Sequence, residues 1–214
     1  MDLLRFLIWD VGGTLFDTYP ATVRAFARGL EDLGASAPDE YIAALVRVSR
    51  AHCAAVLAQE HALDSDELYR RFEQRYAQIP PEEQVLFPGA VDVCTFALER
   101  GGNNYLWTHR ERASVHALLG AHAMERYFAG IVAADDGFPR KPDPAGLMAI
   151  ILRHQLPRDE TLVIGDREID LLGGRNAGVH TACFGPAPDG IVVDYRFHAY
   201  AQLLAWLQAG RRDR

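Results

Sequence analysis

An apolar run, Leu3-Leu4-Arg5-Phe6-Leu7-Ile8-Trp9, ends on a carboxylate at Asp10 and turns at once through Val11-Gly12-Gly13-Thr14-Leu15. The run has the length and composition of a buried strand, and the paired glycines stop it abruptly. An acid at the C-terminal edge of a buried strand is what an open α/β sheet places beside its ligand crevice. This junction predicts an open α/β sheet with its active site beside Asp10.

The remaining chain is consistent with that prediction. Residues from about 18 to 83 carry helical periodicity throughout, in segments such as Ala21–Leu33, Asp39–Gln59 and Ser65–Gln78, and Pro80-Pro81 closes them. From Phe87 onward helices and short apolar runs alternate: helix Val91–Arg100 stopped by Gly101-Gly102, strand Asn104–Trp107, helix Glu111–His122, strand Gly130–Ala133, helix Pro144–His154, strand Thr161–Ile164, helix Glu168–Ala177, strand His180–Phe184 and helix Tyr200–Leu207. Such alternation predicts a Rossmann-like, doubly wound α/β core made of residues 1–17 and 84–214, with a small helical subdomain, 18–83, inserted after the first strand. Hinges are expected near Asp17–Thr18 and Gln84–Phe87, and the tail Arg211-Arg212-Asp213-Arg214 as a solvated terminus.

A net charge of −7 disfavours a nucleic-acid partner, which needs a basic surface. The opening run carries Arg5 and Asp10 and no small-residue cleavage site, so neither a signal peptide nor a membrane span is expected. Cys53, Cys94 and Cys183 are widely spaced and form no Cys-x-x-Cys pair, which predicts reduced thiols and a cytoplasmic protein. Of 22 basic residues Lys141 is the single lysine, within Arg140-Lys141-Pro142-Asp143-Pro144. A preference for arginine explains the absence of lysine elsewhere but not its presence here.

In such sheets the residues that follow each strand line the crevice. Asp10 follows the first strand, Thr108 the second, Lys141 lies in the loop after the third, and Asp166 follows the fourth, within Gly165-Asp166-Arg167-Glu168-Ile169-Asp170. Taken in this order, with the helical insert after the first, these positions resemble the signatures of the haloacid dehalogenase-like hydrolases from about residue 4 to 184. The resemblance implies a phosphatase that acts on a small phosphorylated metabolite through an aspartyl-phosphate, with Asp10 as nucleophile and Thr108 and Lys141 as catalytic partners. It further implies phosphate contacts from Gly13, Thr108, His109 and Lys141. Mg²⁺ would be held by Asp10, Asp166 and the main-chain carbonyl of Gly12, with Asp170 either a direct ligand or a carboxylate supporting one from behind. The helical subdomain would be the cap, and its arginines Arg24, Arg28, Arg47, Arg50, Arg70, Arg71 and Arg75 are candidates for a second anionic group. Thr108-His109-Arg110-Glu111 also reads as a capping box for the next helix, against whose N-terminus a phosphate could rest. Oligomeric state is not readable.

One departure matters. The usual pattern in this family is Asp-x-Asp-Gly-Thr-Leu, and Gly12 stands where the second aspartate would be the general acid and base. His109 or Asp17 could replace that group, the substrate could carry a good leaving group or its own acid, or the chain could be a catalytically impaired phosphate- or protein-binding relative or a phosphotransferase. Two sister chemistries lack this aspartate. The phosphonate-cleaving one needs a cap lysine, and residues 18–83 contain none. The dehalogenating one works without metal, usually places tyrosine here, and does not depend on a Gly-Asp-x-x-x-Asp segment.

Overall fold

The computed structural model describes residues 4–186 and 190–210. Leu3 of the opening run and the expected solvated tail, 211–214, lie outside the described residues. Among the described residues six parallel strands form one sheet: β1 (Phe6–Trp9), β2 (Asn103–Trp107), β3 (Phe128–Val132), β4 (Thr161–Gly165), β5 (His180–Phe184) and β6 (Tyr195–Phe197). Their order is β3-β2-β1-β4-β5-β6. This is a doubly wound Rossmann-like arrangement, and its topological switch lies between the neighbouring β1 and β4, where ligands bind outside the carboxyl ends of the strands.

The chain divides into two compact units, one spanning Asp17–Val85 and the other formed by the residues up to Phe16 with those from Leu86 onward. The first is wholly helical: α1 (Tyr19–Glu31), α2 (Asp39–Val48), α3 (Arg50–Glu60) and α4 (Ser65–Ala77). It has its own core, in which Phe26 stacks on Phe72 with ring centroids 4.1 Å apart, among Ile42, Leu57 and Leu68. Most of the arginines singled out in the sequence are engaged inside this unit. Arg24 pairs with Glu83, Arg70 and Arg71 with Glu67, and Arg75 with Asp32, while Arg47 lies over the Tyr19 ring and Arg50 over Tyr76.

The second unit holds the sheet with α5 (Ala90–Glu99), α6 (Arg112–Ala121), α7 (Ala145–His154), α8 (Glu168–Asn176) and α9 (Tyr200–Ala209). Side chains of a strand alternate between faces, so Leu7 and Trp9 enter the core shared with α5, α6 and α9, while Ile8 enters the core shared with α7. Both faces of β1 are therefore covered, which is why its sequence is apolar at successive positions. The one polar atom of Trp9 is satisfied, since its indole N–H donates to Asn104 Oδ1 at 3.0 Å. The three thiols are free and buried: Cys53 in α3, Cys94 in α5 and Cys183 in β5.

Two expectations are corrected. The helix read across Asp39–Gln59 is two helices, because Ser49 is extended and its hydroxyl accepts from the amide of His52, capping α3. A sixth strand, β6, follows a stretch without clear periodicity. Among the described residues no helix is long and apolar enough to cross a membrane.

Candidate active site

Asp10 is the first residue past β1, and its amide donates to the carbonyl of Ile164 in β4, so the strand pairing continues one step into the loop. The turn that follows is compact. Leu15 and Phe16 both donate to the Val11 carbonyl, Gly13 donates to Phe16, and Gly13 has φ 85°, a conformation that favours glycine. The turn leaves the buried Asp10 carboxylate at the C-terminal edge of the sheet, next to the switch point.

Lys141 answers to it. Its Nζ donates to Asp10 Oδ1 at 2.7 Å and to Asp170 Oδ1 at 2.6 Å, with its side chain wholly inaccessible. The ammonium also lies 4.5 Å from the centroid of the Trp107 ring, whose face attracts a cation. A buried lysine is costly unless its charge is met, and here two carboxylates and an aromatic face meet it. Burial pushes the Asp10 carboxyl up, but the opposing charges of Lys141 and Arg167 outweigh this and hold it below the ordinary carboxylate value. Asp170 is raised, first by burial and further by the like charge of Asp10. Its position is fixed from the helix, since Asp170 Oδ2 accepts from the Arg167 amide at 3.2 Å, a contact between an acid in the first turn of α8 and the residue preceding it.

Asp166 completes the group. Its Oδ1 accepts from the Thr14 hydroxyl at 2.9 Å, and carboxylate oxygens of Asp10, Asp166 and Asp170 all lie within 4.8 Å of one another. Three hard oxygen donors at that separation form a set suited to a divalent cation that prefers oxygen ligands.

The other sequence candidates have definite places. Thr108 is buried just past β2, and its hydroxyl accepts from the Arg110 amide at 3.2 Å. It is not the N-cap of α6, which starts at Arg112, and the Arg112 amide at that helix end is taken by the Asp135 carboxylate at 2.8 Å. His109 Nε2 accepts from the Lys141 amide at 2.8 Å, which pins the loop carrying the lysine. Burial, with the nearby charges of Lys141, Arg140 and Arg167, lowers the His109 pKa to about 4. The ring is thus a neutral acceptor at Nε2, which is committed to the Lys141 amide. Asp17 opens the helical unit and donates its amide to Val85.

Sequence reasoning missed two groups. Trp107 beneath the ammonium could have been suspected from its place just before Thr108. Tyr200, whose hydroxyl donates to the Thr14 carbonyl at 2.5 Å, left no local signal.

Residues 7–184 match the haloacid dehalogenase-like hydrolase family. A phosphoglycolate phosphatase from Vibrio parahaemolyticus is 28% identical over 85% of this chain and 83% of its own length. Among solved structures, a hydrolase from Streptococcus pneumoniae is 29% identical with a TM-score of 0.66, covering 86% of this chain and 94% of that one. A predicted phosphoglycolate phosphatase from Haemophilus somnus, 16% identical, superposes with a TM-score of 0.82 over 94% of this chain and 97% of that one, a likeness of fold. With the match covering most of its length, this chain belongs to the haloacid dehalogenase-like hydrolases.

Proposed function

We propose that this hydrolase is a Mg²⁺-dependent phosphatase of small phosphorylated metabolites, with Asp10 as nucleophile. The observation that carries the reading is the ammonium of Lys141 held between Asp10 and Asp170, with Asp166 in the same acidic group. An ionised carboxylate at the crevice is the form needed to attack phosphorus, and covalent capture on an aspartate splits phosphoryl transfer into two easier steps. Lys141 keeps Asp10 ionised and offsets charge on the phosphoryl oxygens, and Thr108, buried at the end of β2, would donate its hydroxyl to one of them. Gly13 and His109 would add further contacts to the phosphate. The residues fit Mg²⁺: Asp10, Asp166 and Asp170 would hold it with the Gly12 carbonyl, which every residue type possesses, so the glycine does not remove a ligand. When bound, the ion would neutralise phosphate charge and orient it. The helical unit is read as the cap that selects the substrate.

The relatives named as phosphoglycolate phosphatases make phosphoglycolate the first compound to test. The experiment is phosphate release from it, from other phosphorylated metabolites and from acetyl phosphate, with and without Mg²⁺, beside the Asp10→Asn variant. Release by the native chain and none by the variant is expected, and release that survives Asp10→Asn would overturn the reading. Gly12 and the committed Nε2 of His109 favour a second arm, phosphotransfer to an acceptor other than water or an impaired site. A chain lacking only its acid should gain on the order of 10²-fold or more in turnover with Gly12→Asp. An impaired site should not respond, and a phosphotransferase should turn over faster when alcohols or sugars are added.

A further inference from the structure

Tyr200, the first residue of α9, is buried, and its ring packs against Trp9, Phe184 and Phe197 with centroids 5.7, 5.1 and 5.2 Å away. Phenylalanine would serve that packing as well. The hydroxyl does something else: it donates to the Thr14 carbonyl at 2.5 Å, and the Thr14 hydroxyl donates in turn to Asp166 Oδ1 at 2.9 Å. Two hydrogen bonds thus join the last helix to the acidic group by way of the turn after Asp10. Tyr200 lies 186 positions from Thr14 and beyond the stretch that matches the family.

We infer that Tyr200 is a positioning residue for the cation site, fixing the Thr14 turn and through it the direction of the Asp166 carboxylate. The inference rests on the reading that Asp10, Asp166 and Asp170 hold Mg²⁺. Groups that orient a ligand from behind govern affinity strongly, because a ligand free to swing must be ordered at the moment of binding. Tyr200 meets the main chain of the turn and Thr14 meets the ligand itself, so loss of either should loosen the same carboxylate. A buried tyrosine that merely satisfied its own hydroxyl would affect folding and leave the cation affinity alone.

The experiment is calorimetric titration of Mg²⁺ into the native chain, Tyr200→Phe, Thr14→Val and the double variant, with thermal unfolding in chelator as a check on folding. Each single change should weaken Mg²⁺ binding by about tenfold. The double should be little weaker than the worse single, because both act through one carboxylate. Thr14→Val leaves Tyr200 and its partner carbonyl in place and keeps the test open should Tyr200→Phe not fold. Native affinity in either single variant, additive losses, or no saturable Mg²⁺ binding by the native chain would overturn the inference. No substrate enters the titration, so failure to release phosphate would count against the phosphatase reading alone.

Discussion

Lys141 and His109 show how much one side chain can depend on another's main chain. The ammonium reaches Asp10 and Asp170 because its backbone is tethered by the imidazole, and the imidazole accepts that tether only while neutral. His109 faces Lys141, Arg140 and Arg167, which with burial hold its proton off until about pH 4, while Asp10 opposes them weakly. The folded chain therefore binds fewer protons than the unfolded one between the ordinary histidine value and about 4. Stability should fall as pH drops through that window and be unaffected by this group above it. His109→Gln, which retains an acceptor for the Lys141 amide, removes the titration. Urea midpoints at pH 7 and pH 5 should show the native chain losing ground to the variant at the lower pH. An equal loss in both would mean that the group does not titrate in this window. At this scale Asp10, Lys141, Asp166 and Asp170 were legible because each follows a strand at a fixed remove. The contact of Tyr200 with Thr14 was not, since its partner lies far along the chain, and that of Trp107 with Lys141 had only its place just before Thr108 to suggest it.

Elements succeed here where small residues let them approach. A Cβ on Gly173 of α8 would come within 2.3 Å of the Trp107 ring, the ring that underlies the Lys141 ammonium. Gly173→Ala should cost about 1–3 kcal/mol through overpacking. It should also slow phosphate release, because the displaced ring carries the lysine with it. Gly120→Ala in α6 is the control, since a Cβ there meets nothing within 4 Å, and stability should hold or rise by about 0.5 kcal/mol. Equal effects of the two substitutions on the thermal midpoint would sink the argument. The alternation of helix and strand was readable from periodicity, whereas the ends were not. The helical pattern runs through Ser49 because residues on both sides bury apolar groups, Val46 before it and Cys53 after it, and only the serine's cap divides them. β6 escaped because three residues are too few to display a period.

At the scale of the whole molecule, two units share one chain, and the chain leaves the sheet unit and returns to it at adjacent points. Phe16 bridges Leu86 on one side of the passage and the Asp17 amide donates to Val85 on the other. The helical unit was legible as an insert because no strand-like run interrupts it. The buried thiols give this division a time axis. Burial pushes Cys53 up to about 12 and Cys183 up to about 11, and raises Cys94 as well, so the folded chain holds almost no thiolate for an alkylating reagent. Each cysteine becomes a clock that runs only while its surroundings are open. Quenched alkylation read by peptide mass should find Cys94 and Cys183 labelled at one common rate and Cys53 at another, whereas a single rate for all three would mean that the units open together.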